Sequence, residues 1–208
     1  MSKSGLTIYG ARFSRAHRCI WLAQELGLPF EHADIPFSDP VLKEEDYLGK
    51  NPMGKVPAID DAGFHLWESM AINFYLAGKQ PTALWPDDAK IRARVMQWTF
   101  WAVSEVEASA IALGMNSGLL PPERRSQDAI DQARAKLARP FGVLEGALAS
   151  SDYLVGHTFT LADLNVAAIM WSIYGGKAPL PDHPRIQAWL HRCLSRPAAQ
   201  GAFGQPAW

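Results

Sequence analysis

The sequence predicts a small α/β domain followed by an all-helical domain. Short β-prone runs alternate with helical stretches over the first 78 residues, in the order βαβ and then ββα. Beyond a stretch with two prolines, apolar residues recur at helical spacing almost to the end of the chain. A chain of 208 residues is long enough for two domains that each bury a core. We therefore expect domains at residues 1–78 and 89–208, joined by a linker at 79–88.

The predicted βαβ unit occupies the beginning of the chain. Residues 6–9 form a β-prone run that closes at Gly10. Ser14 then precedes a stretch with apolar residues at three- and four-residue spacing. This helix is predicted to end at Gly27, because glycine is common just beyond the last helical residue. Residues 29–35 are predicted as the second strand.

The predicted ββα unit follows a short helix at residues 39–47 and a turn-rich run at 49–54. Residues 56–60 and 64–67 have the pattern of a hairpin around an Asp-Ala-Gly turn. Residues 68–76 are predicted as a helix. The first domain therefore has four predicted strands.

The second domain is predicted to contain four helices. They cover residues 89–113, 121–148, 160–174 and 184–194. Residues 114–120 are expected to break the first of them, and the last stops before Pro197. The third helix begins with a capping box, in which Thr160 is the N-cap and Asp163 replaces the usual Glu or Gln.

The composition excludes several classes of function. Lys and Arg number 20 against 21 Asp and Glu, so nothing favours binding to nucleic acid or to an anionic membrane. No apolar run approaches the ~18 residues of a membrane helix, and the start has no signal-peptide pattern. Cys19 and Cys193 lack the spacing of metal ligands, so we expect no metal site and a cytoplasmic location.

The most informative motif is Asn-Pro-Met-Gly-Lys-Val-Pro at residues 51–57, followed by the Glu-Ser pair at 68–69. The sequence here resembles the glutathione transferase family, which carries an NPxGKVP…ES pattern. The resemblance extends to Ser14 and Arg18, to the helical second half, and to the family's helix-capping motif at residues 156–163. It implies a thioredoxin-like N-terminal domain, a C-terminal helical bundle, glutathione as co-substrate and a twofold homodimer.

Ser14 is the candidate catalytic residue, because the Ser-x-x-x-Arg spacing to Arg18 matches the serine-type members of the family. The hydroxyl would donate to the glutathione sulfur and favour the thiolate. Lowering a thiol pKa by two units takes about 2.7 kcal/mol. A hydrogen bond to a charged acceptor supplies ~1.5–3 kcal/mol and a helix N-terminus adds ~0.3–1, which is sufficient. The alternative is that Ser14 serves only as a helix N-cap.

The resemblance also predicts the residues that bind glutathione. A cis bond before Pro57 would leave the Val56 N–H and C=O to pair with the glutathione cysteine. Lys55 would reach the glycyl carboxylate. Glu68 would take the γ-glutamyl ammonium and Ser69 the adjacent carboxylate, at the positive end of a helix. The alternatives are an ordinary strand opening, a solvated lysine, and two first-turn helix residues.

Tyr9 and Cys19 are the other residues near the first helix with side chains that could take part in thiol chemistry. Some branches of the family use a tyrosine late in the first strand, but Tyr9 is followed directly by Gly10, and we interpret it as a strand residue. Thioredoxin relatives have CxxC at the helix start, where this chain has Ser-Arg-Ala-His, so disulfide exchange is not available there. Cys19 is expected in the core.

We therefore predict a glutathione transferase that directs the glutathione thiolate at a small electrophile. The electrophile pocket is expected near the helix predicted at residues 89–113, where Trp98, Trp101, Glu105 and Met115 are available. Two alternatives stay open at this point. One is a catalytically weak transferase-like module for protein interaction or stress regulation. The other is a glutathione-dependent isomerase or lyase on the same fold, including dehalogenation and ether cleavage.

Overall fold

The computed structural model describes residues 5–204. The strands are β1 (Leu6–Tyr9), β2 (Glu31–Ala33), β3 (Ala58–Asp61) and β4 (Phe64–Trp67). The helices are α1 (Ala16–Glu25), α2 (Glu45–Leu48), α3 (Ser69–Ala77), α4 (Ala89–Trp101), α5 (Glu107–Gly114), α6 (Gln127–Ala147), α7 (Leu161–Ile169), α8 (Trp171–Gly175), α9 (Pro184–Leu194) and α10 (Pro197–Ala202). Single-turn 3₁₀ segments lie at Pro40–Lys43 and Pro122–Arg124.

The chain forms two compact units. Residues 5–82 and 197–204 make up the first unit, and residues 83–196 the second. The chain passes from the first unit to the second between Thr82 and Ala83, within the stretch at 79–88 that the sequence predicts as a linker. The end of the chain differs, because residues 197–204 return to the first unit instead of extending the helical one.

The first unit is built on a four-stranded mixed sheet with the order β2-β1-β3-β4. β1 and β2 are parallel, which requires a crossover, and α1 supplies it. β3 pairs antiparallel with both β1 and β4. This confirms the predicted βαβ-ββα order and a thioredoxin-like domain. Helices α1 and α3 pack against each other, and Cys19, Ile20 and Ala23 of α1 are fully buried.

The second unit is helical, as predicted, but the expected break at 114–120 is wrong. The helix continues from α4 through a π-helical segment at Ala102–Val106, then α5, then a second π-helical segment at Met115–Leu119. Gly114 and Gly118 allow a close approach to α8. A Cβ on Gly114 would lie 2.0 Å from the carbonyl oxygen of Ser172, and one on Gly118 would lie 2.4 Å from that of Gly176.

Other boundaries also differ from the prediction. The helix expected at 160–174 is two helices, α7 and α8, that meet at Met170. The helix expected from 121 begins at Gln127, where the hydroxyl of Ser126 accepts a hydrogen bond from the Ala129 N–H at 3.2 Å. Helix α10 was not predicted. Within residues 5–204, no helix combines the length and hydropathy needed to cross a bilayer.

Thr160 and Asp163 form the capping box that begins α7. Asp163 is fully buried, and its carboxylate accepts hydrogen bonds from the Leu154 N–H at 2.8 Å and from the Thr160 N–H at 3.0 Å. It also accepts one from the indole N–H of Trp189 on α9, at 3.0 Å. Burial raises the pKa of Asp163, although these donors oppose the rise. Asp163 therefore not only takes part in the capping box but also connects α7 to α9 and to the loop that contains Leu154.

Replacing Gly114 by Ala is expected to lower the free energy of unfolding by about 1–3 kcal/mol, because the new methyl group overlaps the α8 backbone. Gly142→Ala in α6 is the matched control. Nothing lies within 4 Å of a Cβ at Gly142, so this substitution should stabilise the protein by about 0.5–1 kcal/mol. Urea denaturation of both variants measures the difference. Equal stability of the two variants would contradict the close helix contact.

Candidate functional site

The candidate site of the first unit is organised around Gly10, which follows β1. Its φ of +126° favours glycine. A Cβ here would lie 2.8 Å from the Cβ of Val56 and 2.9 Å from that of Ala16. The carbonyl oxygen of Gly10 is 2.8 Å from Nε2 of His32 on β2. Gly10 thus allows the end of β1, the start of α1 and the strand entry at Val56 to converge.

Ser14 lies in the turn that leads into α1, and its side chain is half-buried. The hydroxyl donates to the Ala11 carbonyl oxygen at 2.6 Å and accepts from the Ala16 N–H at 3.1 Å. The N-cap of α1 is Arg15, which makes no side-chain capping bond. Ser14 therefore stabilises the turn, and its O–H would have to leave the Ala11 oxygen in order to donate to a sulfur.

The loop of the Asn-Pro-Met-Gly-Lys-Val-Pro motif is held from the inside by Asn51. Its side chain is almost fully buried. Nδ2 donates to the Lys55 carbonyl oxygen at 2.7 Å, and Oδ1 accepts from the Met53 N–H at 3.0 Å. The Tyr47 hydroxyl donates to the same Lys55 oxygen at 2.8 Å. Sequence reasoning gave neither Asn51 nor Tyr47 a role, although Asn51 opens the motif.

Gly54 is required at the next turn of this loop. Its φ is +56°, and a Cβ would lie 2.6 Å from the Leu42 carbonyl oxygen. The ammonium group of Lys43 donates to the Gly54 carbonyl oxygen at 3.1 Å. The backbone of Lys55 is thereby fixed, whereas its side chain is exposed.

The Val56–Pro57 peptide bond is cis. Pairing between β1 and β3 ends at Tyr9 and Ala58, so Val56 lies beyond the ladder. Among the residues that the structure describes, neither the N–H nor the C=O of Val56 has a hydrogen-bond partner. A short extended ligand can therefore pair with this backbone as one more strand.

Glu68 and Ser69 lie where β4 passes into α3. Glu68 is exposed and has φ 72° and ψ 112°, an unfavourable conformation for a residue with a side chain. Backbone strain of this kind costs about 1–3 kcal/mol and often occurs at functional sites. Ser69 is buried at the first turn of α3, where free N–H groups suit an anion.

Arg18 contacts Ser69 from α1. The guanidinium Nη1 lies 3.3 Å from the Ser69 hydroxyl oxygen, and the Arg18 side chain is buried. Because an arginine can only donate, the Ser69 oxygen accepts and its own proton is left to donate elsewhere. The sequence placed Arg18 in a motif but gave it no role, since the spacing does not reveal which residue it meets.

Neither alternative thiol-activating group has the properties of a nucleophile or base. Tyr9 lies in β1 and its ring packs edge-on against that of Tyr47, with centroids 6.0 Å apart. Burial, assisted by nearby Asp60, raises the pKa of Tyr9. Cys19 is fully buried, and burial raises the pKa of its thiol. Over residues 5–204, no group of three or more His, Cys, Asp or Glu could hold a metal ion.

The residues expected near the electrophile lie in the helical unit. The rings of Trp98 and Trp101 pack edge-on within α4, with centroids 5.0 Å apart. Glu105 is exposed in the first π-helical segment, and Met115 is half-buried at the start of the second.

Known proteins resemble this chain over nearly its whole length. Models of the glutathione S-transferase N-terminal and C-terminal domains match residues 4–78 and 108–197. Glutathione S-transferase GstB of Escherichia coli K12 is 29% identical over 199 residues, which cover 94% of this chain and 96% of that protein.

Solved structures give the same result. The theta class glutathione S-transferase of Xanthomonas axonopodis pv. citri, with glutathione bound, matches with a TM-score of 0.88 at 27% identity and covers 99% of this chain and 100% of its own. Glutathione S-transferase I from maize, in complex with an atrazine glutathione conjugate, matches with a TM-score of 0.84 at 28% identity and covers 95% of each chain.

Proposed function

Because the chain belongs to the glutathione S-transferase family and is a glutathione transferase with glutathione as its co-substrate, we propose that Ser14 activates the thiol. The thiol loses its proton to solvent, and the Ser14 hydroxyl donates a hydrogen bond to the thiolate. The sulfur electron pair then forms a bond to an electrophilic carbon, and a leaving group departs with its own electron pair. The observation that supports this proposal best is that Val56 and Ala16 both approach Gly10, and the Ala16 N–H donates to the Ser14 hydroxyl.

The proposed binding roles follow the polar groups of glutathione. The backbone of Val56 pairs with the cysteine residue, and Lys55 contacts the glycyl carboxylate. Glu68 binds the γ-glutamyl ammonium. Ser69 and the first N–H groups of α3 bind the adjacent carboxylate. Arg18 supports this last contact, because it occupies the Ser69 oxygen and leaves the Ser69 proton for the ligand.

Glutathione conjugation is the reaction that we propose, because the maize relative is complexed with a glutathione conjugate. Calorimetric titration with glutathione, followed by mass analysis of products from a chromogenic aryl halide, tests it. One equivalent bound per chain and a product that carries glutathione in place of halide are expected. Absence of saturable binding would contradict the proposal. Binding without any conjugate would favour isomerase or lyase chemistry on the same site.

Glu68→Gly should separate stability from binding. Glycine relieves the strained backbone at position 68 but loses more conformational entropy on folding. The net effect should be a rise of about 1 kcal/mol in the free energy of unfolding. Loss of the carboxylate should weaken glutathione binding about tenfold. Thermal unfolding and calorimetry measure the two effects.

Ala62→Gly is the matched control for Glu68→Gly, because Ala62 also has a positive φ, 53°, at the β3–β4 turn. It should gain stability without any change in glutathione affinity. Equal affinity of the two variants would remove Glu68 from the binding site.

We further propose that the protein is a twofold homodimer, because each unit exposes large apolar side chains. Met96, Phe100 and Val103 recur at helical spacing, and Phe100 is 60% exposed. In the first unit, Phe64 and Trp67 of β4 are exposed, Phe64 to 49%. Apolar surface of this kind marks interaction sites, and a second copy of the chain would cover it.

Phe100→Asp should therefore convert the dimer into monomers, because a carboxylate would be buried in the interface. Sedimentation velocity measures the change in mass. Val143→Asp is the control, since Val143 is also an exposed apolar helix residue, at 51%, and lies on α6. A wild-type monomer, or a dimer that survives Phe100→Asp, would contradict the proposed assembly.

A further inference from the structure

Residues 197–204, named here the C-terminal anchor, pack against the part of the first unit that carries Ser14. Ala199 and Ala202 of α10 are fully buried, and α10 packs along α1. The guanidinium of Arg12 donates a hydrogen bond to the Gly201 carbonyl oxygen. The anchor is thus tied to α1 and to the turn that precedes it.

Phe203 joins the anchor to the buried face of α1. Its ring centroid lies 5.0 Å from that of His17 and 5.8 Å from that of Trp21, in edge-type geometry in both cases. His17 and Trp21 are both buried. Aromatic pairs with this geometry contribute beyond the apolar area that they bury.

Gly204 brings the backbone of the anchor directly against the Ser14 turn. A Cβ at Gly204 would lie 2.8 Å from the Cβ of Arg12 and 2.9 Å from the backbone nitrogen of Phe13. Phe13 immediately precedes Ser14. The anchor therefore contacts the turn within two residues of the proposed catalytic hydroxyl.

The hydrogen bonds of the Ser14 hydroxyl shape the turn but do not fix its place. Both partners, Ala11 and Ala16, lie within three residues of Ser14. The Ala11 N–H donates to the Ile35 carbonyl oxygen at 2.8 Å, and this bond links the beginning of the turn to the segment after β2. The anchor supplies contacts to the next residues, Arg12 and Phe13. A catalytic group must be held close to its productive position, so both supports matter.

We propose that the C-terminal anchor is a positioning element for thiol activation, with Phe203 and Gly204 as its positioning residues. This inference rests on the proposed role of Ser14. The anchor touches neither sulfur nor electrophile in this mechanism. It holds the turn so that the Ser14 hydroxyl meets the glutathione sulfur.

Two variants test the anchor in the full-length protein. Gly204→Ala forces a methyl group against the turn, and Phe203→Ala loosens the anchor from α1. The pKa of bound glutathione is measured from thiolate absorbance, and backbone hydrogen exchange is measured over residues 11–16. Each variant should raise the thiol pKa by about one unit, which is a tenfold loss of thiolate below that pKa. Exchange in the turn should become faster, while KM for glutathione changes little.

Two matched controls separate positioning from general loss of stability. Gly201→Ala changes α10 within the same anchor, but its Cβ would meet the end of the flexible Gln24 side chain, at 3.1 Å. Phe159→Ala removes a phenylalanine of the same size from the core of the second unit. Neither control should shift the thiol pKa or the exchange of the turn. If Phe203→Ala does not fold, Phe203→Leu replaces it.

The outcomes distinguish the anchor from the role of Ser14. If Ser14→Ala raises the thiol pKa but Gly204→Ala and Phe203→Ala do not, the positioning role is refuted and the proposed function stands. A shift of equal size in Phe159→Ala refutes it as well. If Ser14→Ala leaves the pKa unchanged, the proposed activation fails. Unchanged exchange of the turn in both anchor variants shows, independently of glutathione, that the anchor does not hold it.

Discussion

Ser14→Ala should lower turnover by about 10–150-fold near neutral pH while glutathione still binds. The variant loses a hydrogen bond to a charged acceptor, which contributes about 1.5–3 kcal/mol. The pKa of the bound thiol should rise by about one to two units toward the ordinary value of a cysteine thiol, near 8.5. Because the wild-type advantage lies in ionisation, it should shrink as the pH rises through the pKa of the variant's thiol.

The measurement is the pH profile of kcat, together with thiolate absorbance of the bound glutathione. Ser14→Thr keeps a hydroxyl and should recover part of the activity. Tyr9→Phe is the control for the rival residue, because it removes the phenol from β1 and leaves the Ser14 turn unchanged. Full activity of Ser14→Ala combined with loss of activity in Tyr9→Phe would transfer the catalytic role to Tyr9.

Asp163→Ala should lower the free energy of unfolding by about 3–5 kcal/mol, the largest stability effect that we expect. The substitution leaves the buried N–H groups of Leu154, Thr160 and Trp189 without their acceptor. Removal of a buried acceptor costs this much because its former donors stay buried, without either a partner or water. Asp163→Asn should cost nearly as much, since its NH₂ group donates where an acceptor is needed.

Urea denaturation followed by far-UV circular dichroism measures the effect of Asp163→Ala. Asp152→Ala is the control, because the Asp152 side chain is 68% exposed and its ion pair with Arg192, at 3.5 Å, is a surface contact. Surface pairs contribute about 0–1 kcal/mol. A loss below about 1 kcal/mol in Asp163→Ala would mean that the buried network does not hold α7 and α9 together.

Local pattern was enough to predict much of the fold and the motifs of the candidate site. The order of strands and helices over residues 6–77 follows from alternation, glycine stops and turn residues, which act over a few residues each. The sequence also predicted the capping box, because Thr160 and Asp163 contact each other across only three positions. Through the family resemblance, the motif at residues 51–57 and the pair at 68–69 predict where glutathione binds.

Contacts between distant segments were not predictable. No local pattern shows that Arg18 meets Ser69, or that Asn51 holds Lys55 from inside the loop. Gly114 was misread as a helix break, because a glycine that ends a helix and one that admits a neighbouring backbone look alike in the sequence.

The sequence by itself determined the order of strands and helices over residues 6–77, the helical character of the second unit and the family. Only the tertiary structure decided where the end of the chain goes. The segment at residues 197–204 is short and rich in small residues, so its sequence shows little of the apolar periodicity that predicts a helix. Their placement depends on the surface that α1 and the Ser14 turn offer to them, far away in the sequence. Such packing depends on contacts between segments that are distant in the sequence, and a local sequence pattern does not encode those contacts.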